Sequence, residues 1–543
     1  MLALNTFFEA VGSIAMGLLV WLWTRRAARA ETARAVLYDQ PSQAWGDPRL
    51  LLPVAALLIA WLLSFVVRFD STAPINPTSL IDVHFFSPSF WIFLTLDFAA
   101  IVALARLLPG EFRALACGLV AASLFWLNAP MLMVSHAWPQ WDSWLPVFFI
   151  LAVLLVSTNA WLTAGLVLAV GAMLKGQLLF FAPMLVLLPL LAGWPGRFWR
   201  ISAGLAAGMM LLVWPFLIPD RPAALAVALV LLAGILACLM SNHREIIRQH
   251  LREKGSGKYI RATGLILLLA LMAFAVLWQA GHGCSREMRI ALVMLALITL
   301  GVPWLIRNSL IPAYLATILA GSIFITALRR GGDFAWWRVG FIYGTEKHPG
   351  MQLGRGALST IPSLLAERFG WSLHDPLFTL NLPYLHQPLS LDTQQTLFTI
   401  FLATLLLCTI SAARHLRRGN PRFLMAIVAP WILFLTLLTQ LAARYSFEPA
   451  VVAAVLIGVG CGVSMLQLLL TILALVMEGN QMIRFYPPIA PGTLPVLTQT
   501  YPGLGWGLAL LAMIFLWLAI APARDDSLQA AIDRLKELED DDE

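Results

Sequence analysis

Residues 128–144 read NAPMLMVSHAWPQWDSW and residues 173–183 read MLKGQLLFFAP, with two apolar runs between them. This pattern predicts an apolar helix ending at Met133. A short polar and aromatic cap follows (Ser135, His136, Trp138, Gln140, Asp142), and the chain re-enters an apolar medium at Leu145. Lys175 then stands as a lone cation between two hydrophobic runs. A polar cluster at a helix mouth and a lysine at a helix break are expensive in lipid, and such residues mark candidate sites.

The same alternation of apolar run and short polar cap extends along the chain. The protein has 543 residues, of which 60% are hydrophobic and only 12% charged, and its mean hydropathy is +0.81. Soluble domains carry roughly 25% charged residues, so this balance belongs to the membrane class. Runs of about 17–25 apolar residues recur, each long enough to cross the hydrocarbon core as a helix. A spanning β-barrel is excluded, because its signal is alternation in segments of about ten residues. The sequence therefore predicts an all-α polytopic membrane protein with about 15–17 transmembrane helices.

The net charge of +7 is no sign of nucleic-acid binding. The Lys and Arg side chains sit in short loops between apolar runs, where they set topology. Cys117, Cys238, Cys284, Cys408 and Cys461 are scattered singly, with no spacing for zinc or a disulfide framework. The first apolar run has no basic segment before it and no clear small-residue cleavage site after it, so it reads as a retained span.

Charge placement gives the expected orientation. The first span, about Phe7 to Trp23, precedes the arginine cluster TRRAARAETARAVLYDQ, which should stay cytoplasmic and puts the N-terminus outside. Two short spans, Leu145–Ser157 and Trp161–Leu174, bring Lys175 and Gln177 near the outer face, and GWPGRFWR returns inside. The apolar run from Pro449 to Val476 is too long for one span and is split near Gly460–Gly462 into a hairpin. Five regions result. Residues 1–48 form an extra N-terminal span with a basic linker, and 49–330 a transmembrane core. Residues 331–396 form an extracytoplasmic loop with an interfacial helix over Ser359 to Phe369. Residues 397–522 are C-terminal transmembrane helices and 523–543 an acidic cytoplasmic tail.

With this topology the unusual residues collect on the outer face, while the inner face carries bare Lys and Arg. Asp70 directly follows a span, where partial desolvation raises a carboxylate's pKa and suits it to general-base work. The alternative for Asp70 is a topology anchor paired with Arg68. Asp82 and His84 form a second acid–imidazole pair on the same loop, but two ligands do not make a metal site. Gln140 and Asp142 lie among Trp138, Trp141 and Trp144, which serve either as an interfacial belt or as stacking faces for a sugar ring. Lys175 and Arg444 are candidate phosphate contacts, each at the outer end of an apolar run, with snorkelling as the alternative.

These motifs carry a resemblance. The run SHAWPQWDSW, two short helices, then LKGQLLFFAP, looks like the GT-C superfamily of integral-membrane glycosyltransferases. It is most similar to the bacterial branch related to polyprenol-phosphate-mannose-dependent transferases. ARYSFEP is similar to that family's Glu-Arg-Tyr segment: Arg444 and Tyr445 match, while Ala443 stands in place of the Glu and Ala442 in place of a frequent His. The resemblance implies a GT-C-like bundle in a bacterial inner membrane, with its site on the periplasmic side. It implies a polyprenyl-phosphate-linked sugar donor and a glycan, lipid or protein acceptor whose hydroxyl attacks with inversion. Asp70 takes the place of the catalytic Asp, with Asp82 in reserve. His84, His136, Gln140, Asp142, Lys175, Gln177, Arg444 and Tyr445 are the expected substrate contacts. No cofactor is required, although Asp82 and His84 leave room for a divalent ion. Two rival readings stand beside this one, a lipid or sugar transporter or flippase, and a non-catalytic membrane scaffold whose aromatic loops bind a partner.

Overall fold

The computed structural model describes residues 1–37, 59–60, 62, 88–137, 139–217, 376–380, 389–438, 443–485 and 493–521. The chain divides into two compact units: residues Met1–Leu154 with Thr345–Glu543, and Leu155–Gly344. Among the described residues four helices are long and apolar enough to cross a membrane: Leu2–Ala30, Gly110–Ala137, Gln395–Arg417 and Cys461–Glu478. Shorter apolar helices accompany them, two of which follow the short runs read from the sequence: α5 (Trp144–Ser157) and α6 (Trp161–Leu174).

The first unit is held by small residues that let backbones approach. Helix α1 (Leu2–Leu37) continues through the arginine cluster that the sequence reading treats as a linker. At about 1.5 Å per residue its 36 residues extend roughly 54 Å, beyond a hydrocarbon core of about 30 Å. It runs antiparallel to α3 (Gly110–Trp126), with α2 (Pro88–Leu107) on the other side of α3. A Cβ added at Gly118 would stand 2.8 Å from the Gly17 carbonyl oxygen, and one at Gly12 2.6 Å from the Phe125 ring. Such close crossings replace the hydrophobic effect, which lipid removes, with dispersion contacts. Ser13 adds a bond to the Ala122 carbonyl at 2.9 Å, and Arg25 pairs with Glu111 at 2.5 Å at the opposite end.

The C-terminal half completes this unit. α10 (Arg422–Leu437) is buried along its length from Phe423 to Leu437 and lies between α9 (Thr393–Arg417) and α13 (Thr493–Ile520). Residues Ala443–Ser446, α11 (Phe447–Val452) and Ala453–Gly458 form one irregular helical run, which turns at Val459 and Gly460 into α12 (Cys461–Phe485). The hairpin break thus falls at Gly460, where the Ser464 hydroxyl bonds the Gly460 carbonyl at 2.7 Å. Arg106 clamps the other side of the bend, donating to the Ile457 carbonyl at 2.7 Å.

One element departs from the all-α expectation. Strands β1 (Pro376–Leu380) and β2 (Leu389–Asp392) pair antiparallel, with an irregularity between Pro376 and Phe378. The apolar–polar alternation of LSLD suits a strand. Asp392 then starts α9 with a capping box: its carboxylate accepts from the Gln395 N–H at 2.7 Å, and the Gln395 side chain accepts from the Asp392 N–H. The interfacial helix expected at Ser359 to Phe369 and the acidic tail lie outside the described residues.

In the second unit α6 and α8 (Pro195–Leu217) lie side by side and parallel, connected by α7 (Leu178–Leu191), which packs against both. Gly165 abuts the Ile201 carbonyl and Gly204 the Leu162 carbonyl, so closely that neither position has room for a Cβ.

Candidate functional site

The polar cap read from the sequence becomes a short series of helical irregularities in the first unit. Asn128 caps α4 (Ala129–Leu132), accepting from the Met131 N–H and donating to Thr471 on α12 at 3.3 Å. The helix then widens into a π-turn over Met133–Ala137, a deformation that recurs at functional sites. Pro139 lacks the N–H needed to continue it, and a 3-10 turn over Trp141–Ser143 leads into α5. This path buries Ser135, Asp142 and Ser143 and leaves His136 and Gln140 half-buried.

Arg444 reaches this cap from the other half of the unit. Its Nε lies 3.2 Å from Asp142 Oδ2, its Nη2 donates to the Tyr445 hydroxyl at 3.2 Å, and its Cζ stands 5.1 Å from the Tyr445 ring centre. Asp142 is almost closed to solvent, with its side chain 3% exposed against 30% for Arg444. Burial alone would lower the pKa of the Arg444 guanidinium. The neighbouring Tyr445, Asp142 and buried Glu448 outweigh it and hold the group above its ordinary value. Two stretches far apart in sequence, SHAWPQWDSW and ARYSFEP, therefore meet at one charged contact. The cation stands at ion-pair distance from the carboxylate, without a hydrogen bond between Nε and Oδ2, and has one face on an aromatic ring.

On the far side of the cap stand residues that the sequence reading missed. Asn5 on α1 donates to the Ser135 carbonyl at 2.6 Å and accepts from the Trp144 indole at 2.8 Å. One helical turn on, the fully buried Glu9 has His136 Nδ1 at 3.6 Å. The same ring nitrogen is 2.7 Å from the Ser135 hydroxyl, and His136 Nε2 is 3.4 Å from the Thr6 hydroxyl. Glu478 on α12 is also buried. The missed signal was legible for Glu9: a carboxylate in an apolar helix, with Asn5 four residues earlier on the same face.

Lys175 and Gln177 belong to the second unit. There they occupy the break between α6 and α7, with Lys175 extended (φ −149°) and its N–H bonded to the Gly171 carbonyl at 2.9 Å. Asp70, Asp82, His84 and Trp138 lie outside the described residues. Among the described residues no group of three His, Cys, Asp or Glu side chains could hold a metal ion. No family model, curated protein or solved structure matches this chain.

Proposed function

We propose that the protein is an integral-membrane glycosyltransferase. It would move a sugar from a polyprenyl-phosphate-linked donor to an acceptor hydroxyl at the outer membrane boundary, with inversion. The observation that carries the reading is the Asp142–Arg444 pair at 3.2 Å. It joins the Gln140–Asp142 cap to the Arg444–Tyr445 segment, and both are places where the sequence resembles that class. In this reading Arg444 offsets the charge that the phosphate gains as the anomeric bond breaks. A guanidinium already oriented by a carboxylate and a tyrosine needs little reorganisation to do so. Half-buried Gln140 and His136 offer hydrogen bonds to sugar hydroxyls, and Asp70, with Asp82 in reserve, removes the acceptor's proton. The acceptor is a glycan, lipid or protein, and the setting is a bacterial inner membrane with the site on the periplasmic side.

The test is a transfer assay on purified protein in liposomes with polyprenyl-phosphate-linked sugars. The wild type is compared with Asp70→Asn, Asp82→Asn and Arg444→Gln. Transfer lost in Arg444→Gln and in one of the two Asp variants supports the reading and assigns the base. A wild type that neither transfers nor hydrolyses any such donor refutes it.

One observation favours a second reading. Glu9 is a buried carboxylate on a spanning helix, next to His136, and intramembrane carboxylate–histidine pairs suit proton-coupled transport. Proton-dependent uptake of a lipid-linked sugar into liposomes, abolished by Glu9→Gln and without sugar transfer, would select the transporter.

A further inference from the structure

The second unit carries a cationic feature that the proposed reaction does not use. α6 and α8 are parallel, so their N-termini lie at the same end, the basic end that reads GWPGRFWR. Arg197 lies there, in the first turn of α8. Its guanidinium carbon stands 4.0 Å from the Trp194 ring centre and 5.8 Å from that of Trp161, and the two rings meet edge to face at 6.3 Å. The cation is thus held over two aromatic faces, and no carboxylate pairs with it among the described residues. Arg200 stands one turn further along the same helix.

A second observation is independent of charge. Trp161 is 1% exposed, yet its indole N–H has no hydrogen-bond partner among the described residues. A buried donor without an acceptor is costly, and an acceptor oxygen beside this indole would satisfy it. The start of α6 adds further donors: Ala160 provides no side-chain cap, leaving the first backbone N–H groups of a helix whose dipole favours anions. An arginine, an indole N–H and uncapped helical N–H groups at one end of one unit describe the donor set of a phosphate. At a membrane boundary, the phosphate within reach of an aromatic-flanked arginine is that of a phospholipid headgroup.

We propose that Trp161, Trp194 and Arg197, with Arg200 beside them, form a binding site for the headgroup phosphate of an anionic phospholipid. The guanidinium of Arg197, stacked on Trp194, presents its edge to the phosphate, and the Trp161 N–H donates to one of its oxygens. None of these residues takes part in the Asp142–Arg444 contact, and the proposal does not depend on the transferase reading.

The experiment is lipid binding to the purified full-length protein, followed by native mass spectrometry, with phosphatidylglycerol and phosphatidylcholine as probes. Wild type, Arg197→Gln and Trp161→Phe are compared. Trp161→Phe keeps an aromatic ring and removes the indole donor together with part of the ring's volume, so it reports on the site even where Arg197→Gln weakens folding. The expected result is preferential retention of phosphatidylglycerol by the wild type. Arg197→Gln should lower that preference by about fivefold, the effect of one basic residue at an anionic surface, and Trp161→Phe should lower it by a smaller factor. A parallel arm adds inorganic phosphate: competition with the lipid supports the phosphate chemistry and shows that a free anion also enters. Equal retention of the two lipids by the wild type, or a preference unchanged in both variants, would overturn the proposal.

Discussion

The Asp142–Arg444 contact lends itself to a double-mutant cycle. Asp142→Asn preserves shape and removes the carboxylate charge, Arg444→Gln removes the cation, and the double variant removes both. The side chains are 3% and 30% exposed and 3.2 Å apart, so the pair is closer to a buried than to a surface ion pair. Breaking a buried pair by removing one partner costs about 3–5 kcal/mol, whereas a solvent-exposed pair is worth roughly 0–1. Because nearly a third of Arg444 stays wet, we expect a loss of about 2–3 kcal/mol for Arg444→Gln, which leaves the Asp142 carboxylate in a nearly closed site without that cation. Asp142→Asn should cost less, because Arg444 keeps its tyrosine contact and can turn toward solvent. The double variant should recover part of the loss, giving a coupling energy of at least about 1 kcal/mol. The assay is reversible unfolding in mixed micelles, monitored by far-ultraviolet circular dichroism. A coupling energy below about 0.5 kcal/mol would refute the claim that this pair ties the cap to the Arg444 segment, and the main support for the transferase reading would fall with it.

Other consequences can be measured alongside. Gly204→Ala places a methyl group against the Leu162 backbone, which cannot yield as a side chain can, so it should destabilise by about 1–3 kcal/mol. Gly460→Ala, with nothing within 4 Å of the new Cβ, should lie within about 0.5 kcal/mol of wild type; comparable thermal melting of the two would contradict the packing argument. Glu9→Gln keeps the shape of a buried carboxylate that contributes little to stability, so its melting temperature should be no lower than wild type within about 2 °C. Transfer or uptake should nevertheless fall; a large drop in melting temperature with activity retained would make Glu9 structural. Asp392→Ala removes the capping box of α9 and should cost about 1 kcal/mol, visible as earlier loss of helicity and absent if the cap carries no load.

Part of the architecture was legible from composition and charge alone. Apolar runs without charges demand helices, because lipid offers no partner to an open backbone; the bounds of α5 and α6 followed within a residue. The break at Gly460 was readable too, since the run from Pro449 to Val476 exceeds one crossing. The strand pair at 376–392 was less so: its elements are short, and the surrounding aromatic and Pro-rich stretch reads as a loop. The continuation of α1 to Leu37 was hidden because arginines signal topology and helix propensity equally well.

For the candidate site, residue types were determined by the sequence and partners were not. That His136, Gln140, Asp142, Arg444 and Tyr445 stand at the ends of apolar runs follows from linear pattern, because a polar side chain in lipid is costly enough to be noticed singly. Which of them touch depends on how helices distant in sequence pack. Only the tertiary structure set Arg444 against Asp142, placed Glu9 and Asn5 of the first helix behind His136, and gathered Trp161, Trp194 and Arg197 at one end of two parallel helices. Hydropathy is a property of a segment, whereas a hydrogen bond or an ion pair is a property of two positions. Helix packing through glycines such as Gly118 and Gly204 decides which positions become neighbours.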